Sequence, residues 1–361
     1  MQLVKPNRNG LIELYRFIFA VVIVFHHARY LGGGAPYALF GNAGYIGVEF
    51  FFLVSGFLLA KTALKPRSEL SLGYETGCFM LKKIKALLPF YSLAVLASLI
   101  SEFLVEERGL VSRASGIFDI LFLGMSGIKT YPVVNASWYL SAMLICMIVI
   151  YPLTRKYRDK FIYIIAPIIS ILLLGYLSRN FGNLNQYNNN FTLVYTGLIR
   201  AFAEISLGVI IYAIVEKLQQ IKFTKFSQLL ISALNLCLLV FILFGSTVIE
   251  SSNFDYVLLL AIALLVSLTF AKVGLIANLK IFNAKLFTFL GKLSLVIYLN
   301  HMWVKSLVVK YAPQTLGYNK LLVIFLVLTF VVSFVMMLIN LIIGKISTKC
   351  GCKVKKLFVK E

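Results

Sequence analysis

The chain has 361 residues, of which 60% are hydrophobic and only 14% are charged. Soluble domains carry about 25% charged residues, so this composition excludes an ordinary soluble protein. A net charge of +21 would suggest nucleic-acid binding in a soluble protein, but here Lys and Arg lie between long apolar runs rather than along one basic face. We therefore expect an integral membrane protein with no nucleic-acid partner, in which the basic residues report topology.

Apolar runs near the length needed to cross a bilayer, about 20 residues, recur along the whole chain. They predict an all-α bundle of about ten transmembrane helices that forms a single membrane domain over residues 1–361. The predicted spans are about 11–31, 45–63, 84–105, 137–155, 160–178, 194–216, 227–248, 255–272, 286–306 and 321–345.

The distribution of basic residues predicts the orientation of these spans. Most of the 35 Lys and Arg residues lie in the N-terminus, in the loops after even-numbered spans and in the C-terminal tail. Short cytoplasmic loops carry excess Lys and Arg, so both termini are expected in the cytoplasm. The first run contains Arg16 and lacks a small-residue cleavage site, which favours a retained helix over a removed signal peptide. The expected location is the plasma or inner membrane, crossed many times.

Two outer connections and the C-terminal tail have features of their own. The apolar stretch Ile117 to Met125 is too short to span and is expected to lie as a helix at the interface. The asparagine-rich run Asn183 to Asn190 is expected to form an outer loop. Cys350 and Cys352 form a C-x-C that we interpret as part of a basic tail rather than as a metal or lipidation site. The odd number of cysteines implies no disulfide framework.

Ionisable side chains inside a span are costly and often mark function. The first span contains Arg16, His26 and His27. Arg16 and His27 share one helical face, because their spacing is about 20° from three full turns and gives roughly 16 Å of rise. The alternative is that Arg16 reaches the headgroups and the histidines are interfacial. His26 lies about 100° round the helix from His27, and we expect a packing or interface role for it.

Glu49 stands near the outer end of the second span, where it can reach the depth of His27. A carboxylate that is hydrogen-bonded to a histidine fixes the tautomer of the ring and raises its basicity, which a general base requires. We expect His27 to be the catalytic base and Glu49 to orient it. The alternative for Glu49 is a solvated residue at the start of a helix.

These residues resemble a known family. Arg16-x10-His27, followed by the segment Gly47 to Phe57, resembles the acyltransferase-3 family of membrane proteins, which includes O-acetyltransferases of surface polysaccharides. The similarity covers about residues 8–310. Other matching segments are the basic cluster that precedes Pro89, Ser137 to Leu140, Arg200 with Glu204 and Gly208, and Leu290 to His301.

The basic cluster departs from the family pattern in two ways. It contains Lys where Arg is common, and Ala86 occupies the position three before Pro89 where a basic residue is usual. Lysine binds phosphate as a point charge without the bidentate fork of arginine, which alters the expected donor site. Some relatives carry an extra periplasmic hydrolase-like domain; we expect none here, and we expect the membrane unit to complete the transfer.

The resemblance implies an acyl donor, acetyl-CoA or another acyl-CoA, that enters from the cytoplasm and a carbohydrate hydroxyl that is acylated at the outer face. It implies no metal. A covalent acyl-enzyme intermediate remains an alternative to direct transfer. The residues expected to bind the donor are Arg16, Lys82, Lys83 and Lys85, and those expected to contact substrate are Trp138, Arg200, Tyr298 and His301.

Two other function classes remain as alternatives. An exporter or flippase of a polysaccharide or its lipid-linked precursor also has many spans with buried charges, but no inverted repeat or pair of broken helices is visible. A non-catalytic scaffold would leave Arg16, His27 and Glu49 without a reason to be buried. The sequence therefore favours the acyltransferase.

Overall fold

A computed structural model describes residues 9–35, 38–66, 69–105, 114–128, 131–191 and 194–358, with the side chains of 190, 191 and 344–358 left undescribed. The side chains of Cys350 and Cys352 therefore lie outside the described residues. Almost all of the regular structure is helical, and one pair of two-residue strands accompanies it. The expected all-α membrane bundle is confirmed.

The helices are numbered in chain order. They are α1 Gly10–Ala28, α2 Gly47–Ala63, α3 Leu72–Val105, α4 Ile117–Ile120, α5 Trp138–Tyr157, α6 Ala166–Phe181, α7 Thr196–Gln220, α8 Lys225–Val248, α9 Phe254–Ala271, α10 Lys285–Tyr311 and α11 Gly317–Phe358. Short 3-10 helices cover Leu31–Gly33, Gly44–Ile46, Asn135–Ser137, Ile276–Asn278, Lys280–Asn283 and Gln314–Leu316, and a π-helix covers Phe161–Ile165. Strands β1 Asn190–Phe191 and β2 Val194–Tyr195 pair antiparallel.

In the described part of the chain, nine helices are long and apolar enough to cross a membrane. They correspond to nine of the predicted spans. The other predicted span, about 286–306, forms α10, which is not among these nine. Lys292, Asn300 and His301 interrupt its apolar run, but its 27 residues reach about 40 Å, longer than the roughly 30 Å hydrocarbon core. We therefore treat α10 as the remaining span, in which Asn300 and His301 are buried and Lys292 is exposed.

Two predicted boundaries were wrong. Helix α3 begins at Leu72, not near residue 84, and its 34 residues reach about 51 Å, so the lysine cluster lies on a helix and not in a loop. The predicted interface helix is limited to Ile117–Ile120. Its Asp119 is buried and accepts hydrogen bonds from the Val133 and Val134 amides at 2.9 and 3.1 Å. These contacts tie the segment to the chain that leads into α5.

Helices α1 and α10 lie side by side and run in the same direction. Gly291 faces Glu13 so closely that a Cβ at position 291 would lie 1.6 Å from a Glu13 carboxylate oxygen. Further along both helices, the His27 and His301 rings are 5.1 Å apart. Both helices correspond to odd-numbered spans, so their common direction agrees with the alternation predicted from the basic residues.

Helices α2 and α7 also run in the same direction and make a close contact through two glycines. A Cβ at Gly56 would lie 2.1 Å from the Ile205 carbonyl oxygen, and a Cβ at Gly208 would lie 2.4 Å from the Leu53 carbonyl oxygen. Small residues allow helix backbones to approach closely in membranes, where dispersion contacts drive association. This contact sets the distance between α2 and α7.

We predict that Gly56→Ala lowers the thermal stability of the detergent-solubilised protein, by about 1–3 kcal/mol, because the added methyl group overpacks a backbone contact. The matched control is Gly175→Ala on α6, where a Cβ meets no atom of the described residues within 4 Å. That control should be neutral or slightly stabilising, because alanine favours a helix over glycine. Equal melting temperatures for both variants would contradict the close contact.

Candidate active site

A cavity of about 400 Å³ lies between α1, α2, α3, α5 and α10. One end, here called the basic end, is lined by Arg16, Lys83 and Lys292. The other, here called the tyrosine end, is lined by Tyr139 and Tyr298. Apolar side chains line most of the wall between them, and within the described ranges no Asp or Glu lines the cavity. This volume is in the range of small-molecule sites, and the excess of cations over carboxylates at the basic end favours an anionic ligand.

The basic end gathers its cations from three helices. Arg16 on α1 keeps one contact with Glu13, at 3.2 Å between Nη1 and Oε2. The Lys83 ammonium on α3 lies 5.5 Å from the centre of the Phe79 ring, and Lys292 on α10 is exposed. Because the three come from different helices, they surround an anion from several sides rather than along one surface.

Lys82 and Lys85 lie elsewhere. Both are exposed and neither lines the cavity, whereas Lys83, Ala86 and Phe90 do. The reason is helical geometry, since positions 82 and 85 are rotated by about 100° and 160° from the face that carries Lys83. The lysine cluster predicted from the sequence is therefore divided, and one of its three members reaches the cavity.

Lys292 was not among the residues predicted to bind the donor. A usable signal existed, because an ionisable residue inside an apolar run is expensive and usually functional. The sequence shows Lys292 in such a run, but does not show which helix faces it. The structure brings it to the same cavity as Arg16 and Lys83.

The two phenols at the tyrosine end differ in their hydrogen bonding. The Tyr139 hydroxyl shares a hydrogen bond of 3.2 Å with the Ser55 hydroxyl. The Tyr298 hydroxyl is buried and has no hydrogen-bond partner among the described residues. The two rings are 5.8 Å apart. Tyr298 lies six residues after Lys292 on α10, so the two ends of the cavity are separated by about 9 Å along this helix.

Two histidines lie next to the tyrosine end. The His27 and His301 ring centres are 5.1 Å apart, and the His301 ring is 5.8 Å from the Tyr298 ring. His301 Nδ1 lies 2.7 Å from the Tyr298 carbonyl oxygen. A carbonyl only accepts, so Nδ1 carries the proton and Nε2 presents a lone pair. For the part of the chain with described side chains, this Nε2 is buried without a partner.

His26 is engaged on the other side of α1. Its Nδ1 donates to the Gly41 carbonyl oxygen at 2.8 Å, and its ring packs against Tyr45 with the centres 5.3 Å apart. Both contacts join α1 to the segment before α2. His26 thus contacts a connecting segment while His27 faces α10, although the His26 and His27 rings also meet edge to face with their centres 5.2 Å apart.

The expected contact between Glu49 and His27 is absent. No hydrogen bond or ion pair joins them within the described residues; Glu49 is fully buried and forms an ion pair with Arg200 on α7. Arg200 Nε also donates to Glu204 Oε1 at 3.2 Å. A guanidinium is always charged and offers several donors to a carboxylate, which makes it a stronger partner than a neutral imidazole.

Arg200 and Trp138, both expected to contact substrate, contact each other. The Arg200 guanidinium lies 5.7 Å from the centre of the Trp138 ring, and Arg200 is only 1% exposed. The other side of Trp138 stacks on Tyr187, with ring centres 4.8 Å apart. The buried ion cluster of Glu49, Arg200 and Glu204 therefore supports an aromatic wall that extends to the predicted outer loop.

We predict destabilisation of very different size from two substitutions in this cluster. Arg200→Met leaves two buried carboxylates without a cation and should destabilise the protein by about 3–5 kcal/mol or prevent its accumulation. Glu204→Gln removes the surplus negative charge while its amide oxygen still accepts from Arg200, so it should cost less than about 1 kcal/mol. Thermal unfolding of both purified variants measures the difference. A Glu204→Gln variant as unstable as Arg200→Met would show that both carboxylates are needed as charges.

Comparison with known proteins agrees with this layout. Residues 9–339 match the acyltransferase-3 family, described as an acyltransferase domain. Neither the curated proteins nor the solved structures contain a match. The family match extends from the residue before α1 into α11, so it includes every helix that contributes to the cavity and to the ion cluster. The chain therefore belongs to the acyltransferase-3 family and is a membrane acyltransferase.

Proposed function

We propose that this protein moves an acyl group, most simply acetyl, from cytoplasmic acyl-CoA to a hydroxyl of a cell-surface carbohydrate. One observation carries the proposal. A single cavity has three cations at one end and the unpartnered Tyr298 phenol at the other. The His301 ring lies 5.8 Å from the Tyr298 ring and 5.1 Å from the His27 ring, although neither histidine is part of the described lining. An acyl-CoA has the matching order of groups, because its phosphates are separated from its thioester by a long arm.

Charge determines the proposed orientation of the donor in the cavity. The phosphates of CoA bind at the basic end, where Arg16, Lys83 and Lys292 meet, and the arm follows the apolar wall toward the tyrosine end. The excess of Lys and Arg in alternate loops supports a cytoplasmic location for both termini and hence for the basic end. In this arrangement the thioester lies deep in the membrane domain, near the outer half.

The chemistry proposed for the tyrosine end is direct acyl transfer. His27 accepts the proton of the acceptor hydroxyl as its oxygen attacks the thioester carbon. The new C–O bond forms, the C–S bond breaks, and the proton passes from the imidazole to the departing CoA thiolate. The neighbour of His27 in this scheme is His301, which takes the place that the sequence suggested for Glu49. Both rings would then lie beside the reacting atoms.

The acceptor is proposed to approach along the wall formed by Trp138 and Tyr187. These stacked rings combine apolar faces with polar edges, a combination suited to a sugar ring at the boundary of the membrane. The Trp138 ring of this wall packs against the Arg200 guanidinium. Donor and acceptor would therefore reach the histidines from different sides, as transfer across a membrane requires.

We predict that Lys83→Gln and Lys292→Gln each weaken binding of CoA to the purified protein in lipid nanodiscs by about tenfold or more, because each removes a charge-assisted contact with phosphate. Isothermal titration with CoA measures the affinity. Lys285→Gln is the matched control, since it makes the same charge change at an exposed position on α10 outside the cavity.

The exposed Lys85 distinguishes the cavity from the helix surface as the donor site. Lys85→Gln should bind CoA within about threefold of the parent, because an exposed cation outside the cavity is screened by salt. If Lys85→Gln weakens CoA binding while Lys292→Gln does not, the donor does not bind in this cavity.

We predict that His27→Ala abolishes detectable acylation of surface glycans while the protein still inserts and accumulates, because loss of a positioned base removes about 10²–10⁴-fold in rate. Mass spectrometry of glycans from cells with the parent, the variant and no gene measures the acyl groups. His26→Ala is the control and should retain most activity, since His26 packs on the His27 ring at 5.2 Å but its Nδ1 is already committed to the Gly41 carbonyl oxygen. An inactive His26→Ala beside an active His27→Ala, at matched expression, would refute the assignment.

A further inference from the structure

We infer that the Tyr298 hydroxyl donates a hydrogen bond to the thioester carbonyl oxygen of the donor and stabilises the negative charge that develops there. The inference rests on the proposed function and adds a catalytic residue to it. The sequence suggested only that Tyr298 contacts substrate. Three observations indicate the specific role: its hydroxyl has no hydrogen-bond partner among the described residues, it lines the cavity, and its carbonyl oxygen accepts a hydrogen bond from His301.

The Tyr298 hydroxyl is unsatisfied. It is buried, and among residues with described side chains nothing accepts its proton or donates to it. A buried polar group without a partner is unfavourable, and such groups in native proteins call for a specific explanation. A ligand that supplies an acceptor oxygen in the cavity provides one.

The other hydroxyls that line the described cavity are already engaged. The Ser55 hydroxyl donates to Met143 Sδ at 3.4 Å, so the hydrogen bond of 3.2 Å between Tyr139 and Ser55 uses the Tyr139 proton. Ser294 donates to the Gly291 carbonyl oxygen at 2.8 Å. Tyr298 is thus the hydroxyl of this lining that has a proton available for a ligand, and it lies at the end away from the cations.

Tyr298 also fixes the tautomer of the neighbouring His301 imidazole. Its carbonyl oxygen accepts from His301 Nδ1 at 2.7 Å, which leaves the lone pair of His301 on Nε2. One turn of α10 therefore presents a free donor, the Tyr298 phenol, and a free acceptor, His301 Nε2, and the His301 ring lies 5.8 Å from the Tyr298 ring and 5.1 Å from the His27 ring. Acyl transfer needs this combination, because the carbonyl oxygen requires a donor while the attacking hydroxyl requires an acceptor for its proton.

The acceptor oxygen forms a bond to the thioester carbon while the hydroxyl proton moves to an imidazole, and the carbonyl electron pair moves to an oxyanion held by the Tyr298 hydroxyl. When the oxyanion collapses to the ester carbonyl, the C–S bond breaks and the imidazole returns the proton to the CoA thiolate. Tyr298 keeps its own proton throughout, so it acts as a hydrogen-bond donor rather than as an acid.

The test is Tyr298→Phe, which removes one oxygen atom and keeps the ring. The assay measures release of the CoA thiol from acetyl-CoA by purified protein in nanodiscs, with envelope glycan from cells that lack the gene as acceptor. We expect kcat to fall by about 10²–10³-fold, as for loss of one oxyanion donor, with the KM for acetyl-CoA within about threefold of the parent. The melting temperature should stay equal or rise, because an unsatisfied buried hydroxyl is removed.

The matched control is Tyr139→Phe, which removes a phenolic oxygen from the same end of the cavity but from a hydroxyl already bonded to Ser55. Its kcat should fall by less than about tenfold. Comparable losses in both variants, or a Tyr298→Phe loss confined to KM or accompanied by a lower melting temperature, would overturn the inference. A parent that transfers no acetyl group would refute the proposed function and, with it, this inference; an active parent with an equally active Tyr298→Phe would refute the inference alone.

Discussion

A guanidinium enclosed by two carboxylates in the interior of a membrane protein constrains everything near it. Arg200 is nearly inaccessible, and Glu49 and Glu204 are completely so. None of the three has water with which to replace a lost partner, so each fixes the position of the others. Since Glu49 lies on α2 and Arg200 on α7, the cluster specifies the rotation of these helices, and the glycine contact one turn or two further along sets their separation.

The orientation of α2 then determines what faces the cavity. With Glu49 turned toward α7, Phe51 and Ser55 turn toward α5 and α10, where Ser55 meets Tyr139. The same cluster holds Trp138 at the start of α5 through the face of its ring. The ion cluster therefore acts at a distance from the reaction, by positioning one wall of the cavity and one side of the proposed acceptor route.

The charge of the cavity lining differs between its two ends, from cationic at the basic end to neutral at the tyrosine end. Three cations, of which Arg16 is paired with Glu13, favour an anion at one end. At the other end the Tyr298 hydroxyl has no partner among the described residues, and the unpartnered His301 Nε2 lies next to this end but outside the described lining. Interactions of this kind are stronger where water is excluded. The pairing of α1 with α10 makes the arrangement possible, because two helices that run in the same direction bring Arg16 and Lys292 to one cavity and the His27 and His301 rings to within 5.1 Å of each other.

The sequence by itself determined what depends on composition and local helical period. Apolar runs indicated the membrane class and the nine spans that the described part of the chain confirms, the spacing of Arg16 and His27 predicted that they share one face, and short motifs indicated the family. The tertiary structure alone decided which helix each polar face meets. In the structure Glu49 pairs with Arg200, and only Lys83 of the lysine cluster lines the cavity, together with Lys292. The Tyr298 hydroxyl has no partner among the described residues. The reason is that partners on different helices depend on the rotation and separation of those helices, which close packing of distant residues sets and a linear pattern does not record.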